Sequence, residues 1–250
     1  TGYVSLNAAA GGMSQNAGTV ITAPGGLLVQ GVGPFDLTND NVVGTLAANI
    51  TSSYLDLKST SGIQIGTVNG IAGADMHGGN LTLTSGGGGA ITQNAAGLIN
   101  CGQLTLTSAG AITLTTSASN TITSLGAISR GGACAIADSA GGLTIAGTIT
   151  GGTITNAVTI STSGGTLAID ANVSTSGANN IQLTGTGVTQ IGASTVNGGS
   201  GTILLDANDG TFSLSGTLTT TNASATAITI RDGTTAAIGN VTCNSGTLVL

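Results

Sequence analysis

Short apolar side chains alternate with hydroxyl-bearing ones along most of this chain. Leu81-Thr82-Leu83-Thr84-Ser85 shows the pattern clearly, and the same five letters return at 104–108. Successive side chains of a β-strand point to opposite faces, so this alternation places the aliphatic groups on one face and the hydroxyls on the other. No segment has the 3.6-residue apolar spacing of a helix, and Thr, Val, Ile and Gly are poor helix formers. The pattern therefore predicts an all-β chain.

Related strands recur at intervals of about 20 to 25 residues, which is typical of stacked coils. One such coil cannot bury its own apolar face, whereas a stack of coils buries it against its neighbours. We therefore expect a parallel β-solenoid of roughly eleven coils with a thin aliphatic interior. The predicted core contains Leu81, Leu83, Leu104, Leu106, Ile112, Leu114, Leu143, Ile145, Leu167, Ile169, Ile203, Leu205, Ile228 and Ile230.

A longer repeat is also present. The phrase around Gln15 (13–17) matches that around Gln93 (91–95), and Leu46 corresponds to Leu125 at nearly the same offset. A weaker third copy surrounds Gln190. These matches indicate a duplicated block of about four coils. We expect residues 1–250 to form a single continuous solenoid, with less regular coils over 1–80 and regular repeats over 81–250.

Glycine clusters separate the strands and predict tight turns. They include 86–89, Gly131-Gly132 and Gly151-Gly152. The two prolines, Pro24 and Pro34, lie beside glycines and are also expected at turns or sheet edges.

The composition excludes one class of binding partner. Charged residues make up 5% of the chain, against about 25% in ordinary globular domains. The net charge is −6, and the only basic residues are Lys58, Arg130 and Arg231. Three scattered cations cannot neutralise a run of phosphates, so we exclude nucleic acid as a partner.

The three cysteines form neither a disulfide framework nor a zinc pattern, which requires closely spaced pairs. We expect Cys101, Cys134 and Cys243 to be small buried apolar residues. A Cys101–Cys134 bridge would require the two positions to lie on adjacent coils.

The phrases at 81–93 and 120–128, together with the tract from Val43 to Gly70, resemble the large exoproteins of the filamentous haemagglutinin type. The resemblance covers most of the chain but lies in scaffold repeats, so it assigns no functional residue. It implies a right-handed parallel β-helix that crosses a Gram-negative outer membrane through a two-partner or autotransporter pore. Such a rod would be secreted or held at the cell surface, where it serves adhesion, biofilm or matrix. Its partners would be the outer-membrane transporter, a host or neighbouring cell surface, and other copies in a fibre. Both ends break off within the repeat pattern, so we expect a segment of a longer chain.

Residues that could carry chemistry are few. The only histidine, His77, lies two residues after Asp75, and zinc would need three or four ligands, so a turn histidine is expected. We predict no catalytic, cofactor-binding or metal-binding residues and expect the protein not to be an enzyme.

The serious enzymatic alternative is a carbohydrate-active β-helix, which needs paired carboxylates and usually aromatic platforms for sugar rings. The best acidic pairs are Asp36/Asp40 and Asp206/Asp209. Both lie in Asn-rich segments where Asp commonly bonds its own backbone. The Asp206/Asp209 turn is also the best calcium candidate, although it lacks the tandem glycine-aspartate signature of calcium-binding rolls.

The outward residues suggest a solubilising surface. Asp56, Lys58 and Arg231 are expected to be solvated charges that oppose sheet-to-sheet association. Thr82/Thr84 and Thr105/Thr107 should form outward rows that Thr113, Thr115, Thr144 and Thr229 extend. Such rows either keep a fibre soluble without charge or, if flat and regular, bind ice. The sequence favours a structural and adhesive rod, with a self-assembling filament, a carbohydrate-active enzyme and an ice-binding solenoid as alternatives.

Overall fold

A computed structural model describes residues 2–51, 53–116, 119–151 and 156–250. The described residues form β-strands joined by turns and contain no helix, and hence none long and apolar enough to cross a membrane. The strands stack in parallel as a β-solenoid of about ten turns, close to the roughly eleven expected. The chain divides into two compact units, residues 1–122 and 123–250, with the division inside one strand. Gly152, part of a predicted glycine turn, lies outside the described residues.

The first unit contains fifteen complete strands within its described residues, and a sixteenth begins at its end. They are β1 (Val4–Ala8), β2 (Met13–Ser14), β3 (Thr22–Ala23), β4 (Leu27–Val32), β5 (Phe35–Val43), β6 (Thr45–Thr51), β7 (Tyr54–Ser59), β8 (Ile63–Ile65), β9 (Thr67–Val68), β10 (Ile71–Ala72), β11 (Ala74–Asp75), β12 (Asn80–Ser85), β13 (Ile91–Gln93), β14 (Ile99–Ser108), β15 (Ile112–Leu114) and β16 (Thr121–Arg130).

The second unit continues from β16 with shorter strands and ends on two long ones. They are β17 (Cys134–Asp138), β18 (Leu143–Ile145), β19 (Ile149–Gly151), β20 (Val158–Thr162), β21 (Leu167–Ile169), β22 (Val173–Ser174), β23 (Ile181–Thr184), β24 (Val188–Gln190), β25 (Thr195–Asn197), β26 (Ile203–Thr220), β27 (Ile228–Cys243) and β28 (Leu248–Val249).

In the first unit, identical aliphatic residues of successive coils lie side by side. Leu81 of β12 pairs with Leu55 of β7 on one side and with Leu104 of β14 on the other. A second stack places Ile91 of β13 between Ile63 and Ile112. All of these side chains are buried, and each such burial contributes about 1.5–3 kcal/mol. The aliphatic interior is therefore built from rows that run from coil to coil.

The second unit is built in the same way. Each of its coils contributes strands to three parallel stacks, of which β17–β20–β23–β26 is one. The other two are β18–β21–β24–β26 and β19–β22–β25–β26. The long strands β26 and β27 pair with each other across register shifts at the corners.

All fourteen predicted core residues are buried, which confirms that prediction. The coil length varies more than predicted: the register advances by 19 residues from Leu27 to Leu46 and by 28 from Ile63 to Ile91. Cys101 and Cys134 are buried as expected, whereas Cys243 is only half-buried, so the expectation was wrong for that residue.

One element departs from the parallel plan. Strands β9 and β10 form an antiparallel hairpin whose two-residue loop is Asn69-Gly70. Both loop residues have positive φ, 51° and 80°, as a type I′ turn requires. The hairpin places Val68 and Ile71 over Leu28 and Ala47 on the outer side of the first unit. A small apolar cluster therefore forms outside the main interior.

The repeated glutamines confirm the longer repeat at the level of hydrogen bonds. Gln15, Gln93 and Gln190 each donate Nε2 to the carbonyl oxygen of the residue four positions on. Buried amides need such partners, and here the backbone of the following turn supplies them.

Candidate functional site

The outward threonine rows are shorter than predicted. Thr82 lies opposite Thr105, and Thr84 opposite Thr107, so these four residues form a two-by-two array on β12 and β14. On the preceding strand the same positions are Asp56 and Lys58, which interrupt the array.

The proposed extension of these rows was wrong. Thr113 pairs with Thr92 in a different stack, and Thr115 follows the end of β15. In the second unit, Thr144 lies opposite Ser124 and Ala168, and Thr229 opposite Leu204. These threonines therefore lie in other strand stacks, although the sequence around them is similar. A broad flat threonine surface is therefore not formed by these residues.

The basic residues Lys58 and Arg231 are partly exposed to solvent, and each lies against a carboxylate. Lys58 Nζ lies 2.6 Å from Asp40 Oδ1, with side chains 42% and 68% exposed. This pair is open to water and stabilises the fold only weakly. Asp56, the third of the predicted solvated charges, is half-exposed beside Asp36 of the neighbouring coil.

The Arg231–Asp206 pair is better shielded. Arg231 donates from both Nε and Nη2 to Asp206 Oδ2, at 3.0 and 2.9 Å, and the Asp206 side chain is 11% exposed. A two-point contact of this kind fixes geometry as well as charge. Asp206 also accepts a bond from the Asn208 N–H at 3.0 Å, and Asn208 and Asp209 both have positive φ. The predicted Asx turn is therefore present.

Arg130 is the third basic residue, and it is buried at the end of β16. Its Nη1 donates to the carbonyl oxygens of Gly132 and Asn156, at 2.7 and 3.0 Å. Burial lowers the pKa of the guanidinium, an effect that the nearby Cys134 opposes. Burial likewise raises the pKa of the Cys134 thiol to about 12, against a smaller opposite influence of Arg130. Neither group is presented to an outside molecule.

His77 lies in a tight turn, as expected. Met76–Gly79 close it with a bond from the Gly79 N–H to the Met76 carbonyl at 2.8 Å, and His77 adopts φ 48°. Asp75 Oδ1 accepts the His77 N–H at 2.9 Å and an Asn100 Nδ2–H at 2.8 Å. Three groups thus converge on one carboxylate oxygen, because His77 Nδ1 also lies 3.4 Å from it.

Asp36/Asp40 and Asp206/Asp209 are the two acidic pairs considered for sugar chemistry. One member of each, Asp40 and Asp206, is engaged by a cation. Over residues 2–51, 53–116, 119–151 and 156–250, no three His, Cys, Asp or Glu side chains come close enough together to hold a metal ion.

These features define the chain as a parallel β-solenoid protein. Comparisons with protein-family models, with curated proteins and with solved structures each found no match.

Proposed function

We propose that this chain forms part of the rod of a secreted bacterial surface protein of the filamentous haemagglutinin type, with a structural and adhesive role. The observation that carries the proposal is the division of the coils into a dry aliphatic interior and an outer surface of hydroxyls and amides with very few charges.

The stacked coils are suited to export through a pore and to the formation of an extended rod. Each coil pairs with its neighbours, so folding can propagate coil by coil as a chain emerges from a pore. Parallel strand pairing then satisfies backbone groups along every stack, which makes a rod resistant to local opening. An outer-membrane transporter would be the partner during export, and a host or neighbouring cell surface the target afterwards.

The outer surface carries few charges, so it is suited to contact with another surface. Rows such as Thr82/Thr105 expose hydroxyls that hydrogen-bond without the cost of stripping water from a charge. The two exposed or partly exposed cations, Lys58 and Arg231, are balanced by Asp40 and Asp206.

Surface labelling of intact cells tests the proposal. Antibodies raised against residues 1–250 should label intact cells of the source organism, and protease added outside the cells should remove that signal. Cells that lack the protein should adhere less to a host or neighbouring cell layer. Label that appears only after lysis, together with unchanged adhesion, would contradict the proposal.

A further inference from the structure

Two surface depressions in the first unit share Tyr54 as a lining residue. One, of about 380 Å³, is also bounded by His77, Gly79 and Asn80. The other, of about 240 Å³, is also bounded by Gly12, Pro34 and Asp36. One aromatic side chain therefore borders two open spaces.

Tyr54 is an unusual residue in this chain. The sequence contains two tyrosines, two phenylalanines and no tryptophan. Phe35 and Phe212 are buried, whereas Tyr54 is 38% exposed at the start of β7. An exposed ring with a hydroxyl offers an apolar face for stacking and a polar group for hydrogen bonding.

Glycines allow neighbouring coils to approach closely beside the two depressions. A Cβ on Gly79 would lie 1.7 Å from the Ser53 carbonyl oxygen, and one on Gly12 would lie 1.9 Å from the Pro34 carbonyl oxygen. No side chain fits at either position without displacing the backbone of the neighbouring coil. Gly12 and Gly79 therefore fix the backbone of the coils that border the ring.

Polar groups surround the ring at fixed positions. Asn80 lies directly opposite Tyr54 on the next coil, and Asp36 lies opposite Asp56, two residues after Tyr54. Asp36 is oriented by a hydrogen bond of 2.8 Å from the Thr38 hydroxyl. On the other rim, Asp75 holds the His77 turn in place.

We propose that the two depressions together form a groove, which we call the Tyr54 groove, and that it binds a neutral glycan chain with one sugar ring stacked on Tyr54. Carboxylate and amide oxygens beside the ring accept hydrogen bonds from sugar hydroxyls. The carboxylates of Asp36 and Asp56 repel acidic sugars, which favours neutral over uronic-acid or sulfated glycans. This assignment rests on the proposed adhesive function, for which it supplies the class of ligand.

Tyrosine fluorescence gives a direct test, because Tyr3→Phe leaves Tyr54 as the only tyrosine in a chain without tryptophan. Cellohexaose, mannohexaose, chitohexaose and hexagalacturonate are titrated into this variant. At least one neutral hexasaccharide should change the emission of Tyr54 to saturation, and hexagalacturonate should not. No response to any neutral probe, or an equal response to hexagalacturonate, would overturn the assignment.

Calorimetry on variants locates the site. Tyr54→Ala should weaken binding at least tenfold, Asp36→Asn about threefold, and Tyr54→Phe less than threefold because the ring remains. Tyr3→Ala is the matched control, since Tyr3 is also exposed, at 47%, and should bind as the native protein does. Unchanged thermal melting of the variants shows that they fold. Retained binding in Tyr54→Ala would overturn the assignment.

The experiments distinguish failure of the glycan-binding proposal from failure of the surface-rod proposal. Absence of glycan binding with positive labelling of intact cells would reject only the Tyr54 groove. Absence of surface labelling with glycan binding intact would reject only the surface rod.

Discussion

Gln93 and Asn120 exchange two side-chain hydrogen bonds inside the first unit. Gln93 Nε2 donates to Asn120 Oδ1 at 2.6 Å, and Asn120 Nδ2 donates to Gln93 Oε1 at 3.3 Å. Gln15 and Asn41 form the same reciprocal pair, at 2.9 and 3.0 Å. In each copy the asparagine oxygen also accepts the N–H of the residue six positions after the glutamine, Ile99 or Ile21.

The third copy of the glutamine lacks this partner. Gln190 Nε2 donates to the carbonyl oxygens of Ser194 and Thr217, at 3.1 and 3.2 Å. Its Oε1 is buried and has no hydrogen-bond partner among the described residues. A buried acceptor that is left unpaired lowers stability.

This difference predicts unequal effects of the same substitution. Gln93→Leu deletes both bonds to Asn120 and should lower the free energy of unfolding by about 1–3 kcal/mol. Gln190→Leu also removes an unpaired oxygen, so its loss should be smaller by about 1 kcal/mol. Urea unfolding followed by circular dichroism measures both. An equal or larger loss for Gln190→Leu would contradict the assignment of the third copy.

The aliphatic rows predict a sharp contrast between neighbouring positions of β12. Leu83→Ala should lower the free energy of unfolding by about 2–5 kcal/mol, because Leu83 is fully buried between Leu57 and Leu106. Thr84→Ala, one position along, should change it by no more than about 0.5 kcal/mol. Both values come from denaturant titrations. Similar losses at the two sites would indicate that the apolar face is not turned inward.

The two ion pairs should differ in strength. Asp206→Ala removes a shielded carboxylate that accepts from Arg231 and from the Asn208 N–H, and it should cost about 1–2 kcal/mol. Asp40→Ala removes an exposed partner of Lys58 and should cost less than about 0.5 kcal/mol. Thermal melting at low and high salt compares them. If Asp40→Ala proved the more damaging change, the Asp206 turn would not be a stabilising element.

The burial of Cys134 leads to predictions about the reactivity of its thiol and about the pH dependence of stability. Its pKa is raised to about 12 by burial, so the native thiol should stay protonated and unreactive toward iodoacetamide at pH 8, while the half-buried Cys243 reacts. Mass spectrometry of labelled peptides separates the two sites. Rapid labelling of Cys134 in the folded protein would show that its position is not enclosed.

The same shift links stability to pH. The unfolded thiol has an ordinary pKa near 9.0 and the folded thiol a pKa of about 12, so the unfolded state loses its proton first. The stabilising contribution of Cys134 is therefore complete below about pH 9 and declines as the pH rises toward 12. Cys134→Ala should flatten this alkaline decline in unfolding experiments. An unchanged slope would show that another group causes it.

Much of the interior followed from the sequence, because alternation alone determines which face of a strand is buried. Leu81 and Leu104 could be placed in the core because each begins the same five-residue sequence, at 81–85 and at 104–108. The same identity placed the two leucines in one row. The threonine rows could not be extended correctly, because the alternation does not say which strand stack contains Thr113 or Thr229.

The outward contacts were the least predictable part. The register between neighbouring coils places Arg231 opposite Asp206 and Tyr54 opposite Asn80. This register could not be read from the sequence. The antiparallel hairpin did carry a local signal, Asn69-Gly70 between two short apolar runs, which is typical of a type I′ turn.

Cross-linking of engineered cysteines tests the stacked register most directly. In a background without the three native cysteines, Thr82→Cys with Thr105→Cys joins residues that lie opposite each other on β12 and β14. Neighbouring strands are about 4.8 Å apart, which matches disulfide geometry, so this pair should oxidise rapidly and completely. The matched pair Thr82→Cys with Thr107→Cys is displaced by two residues, and its Cα atoms should be too far apart to cross-link without backbone movement. Cross-linking of the displaced pair in preference to the opposed pair would contradict the parallel in-register stack.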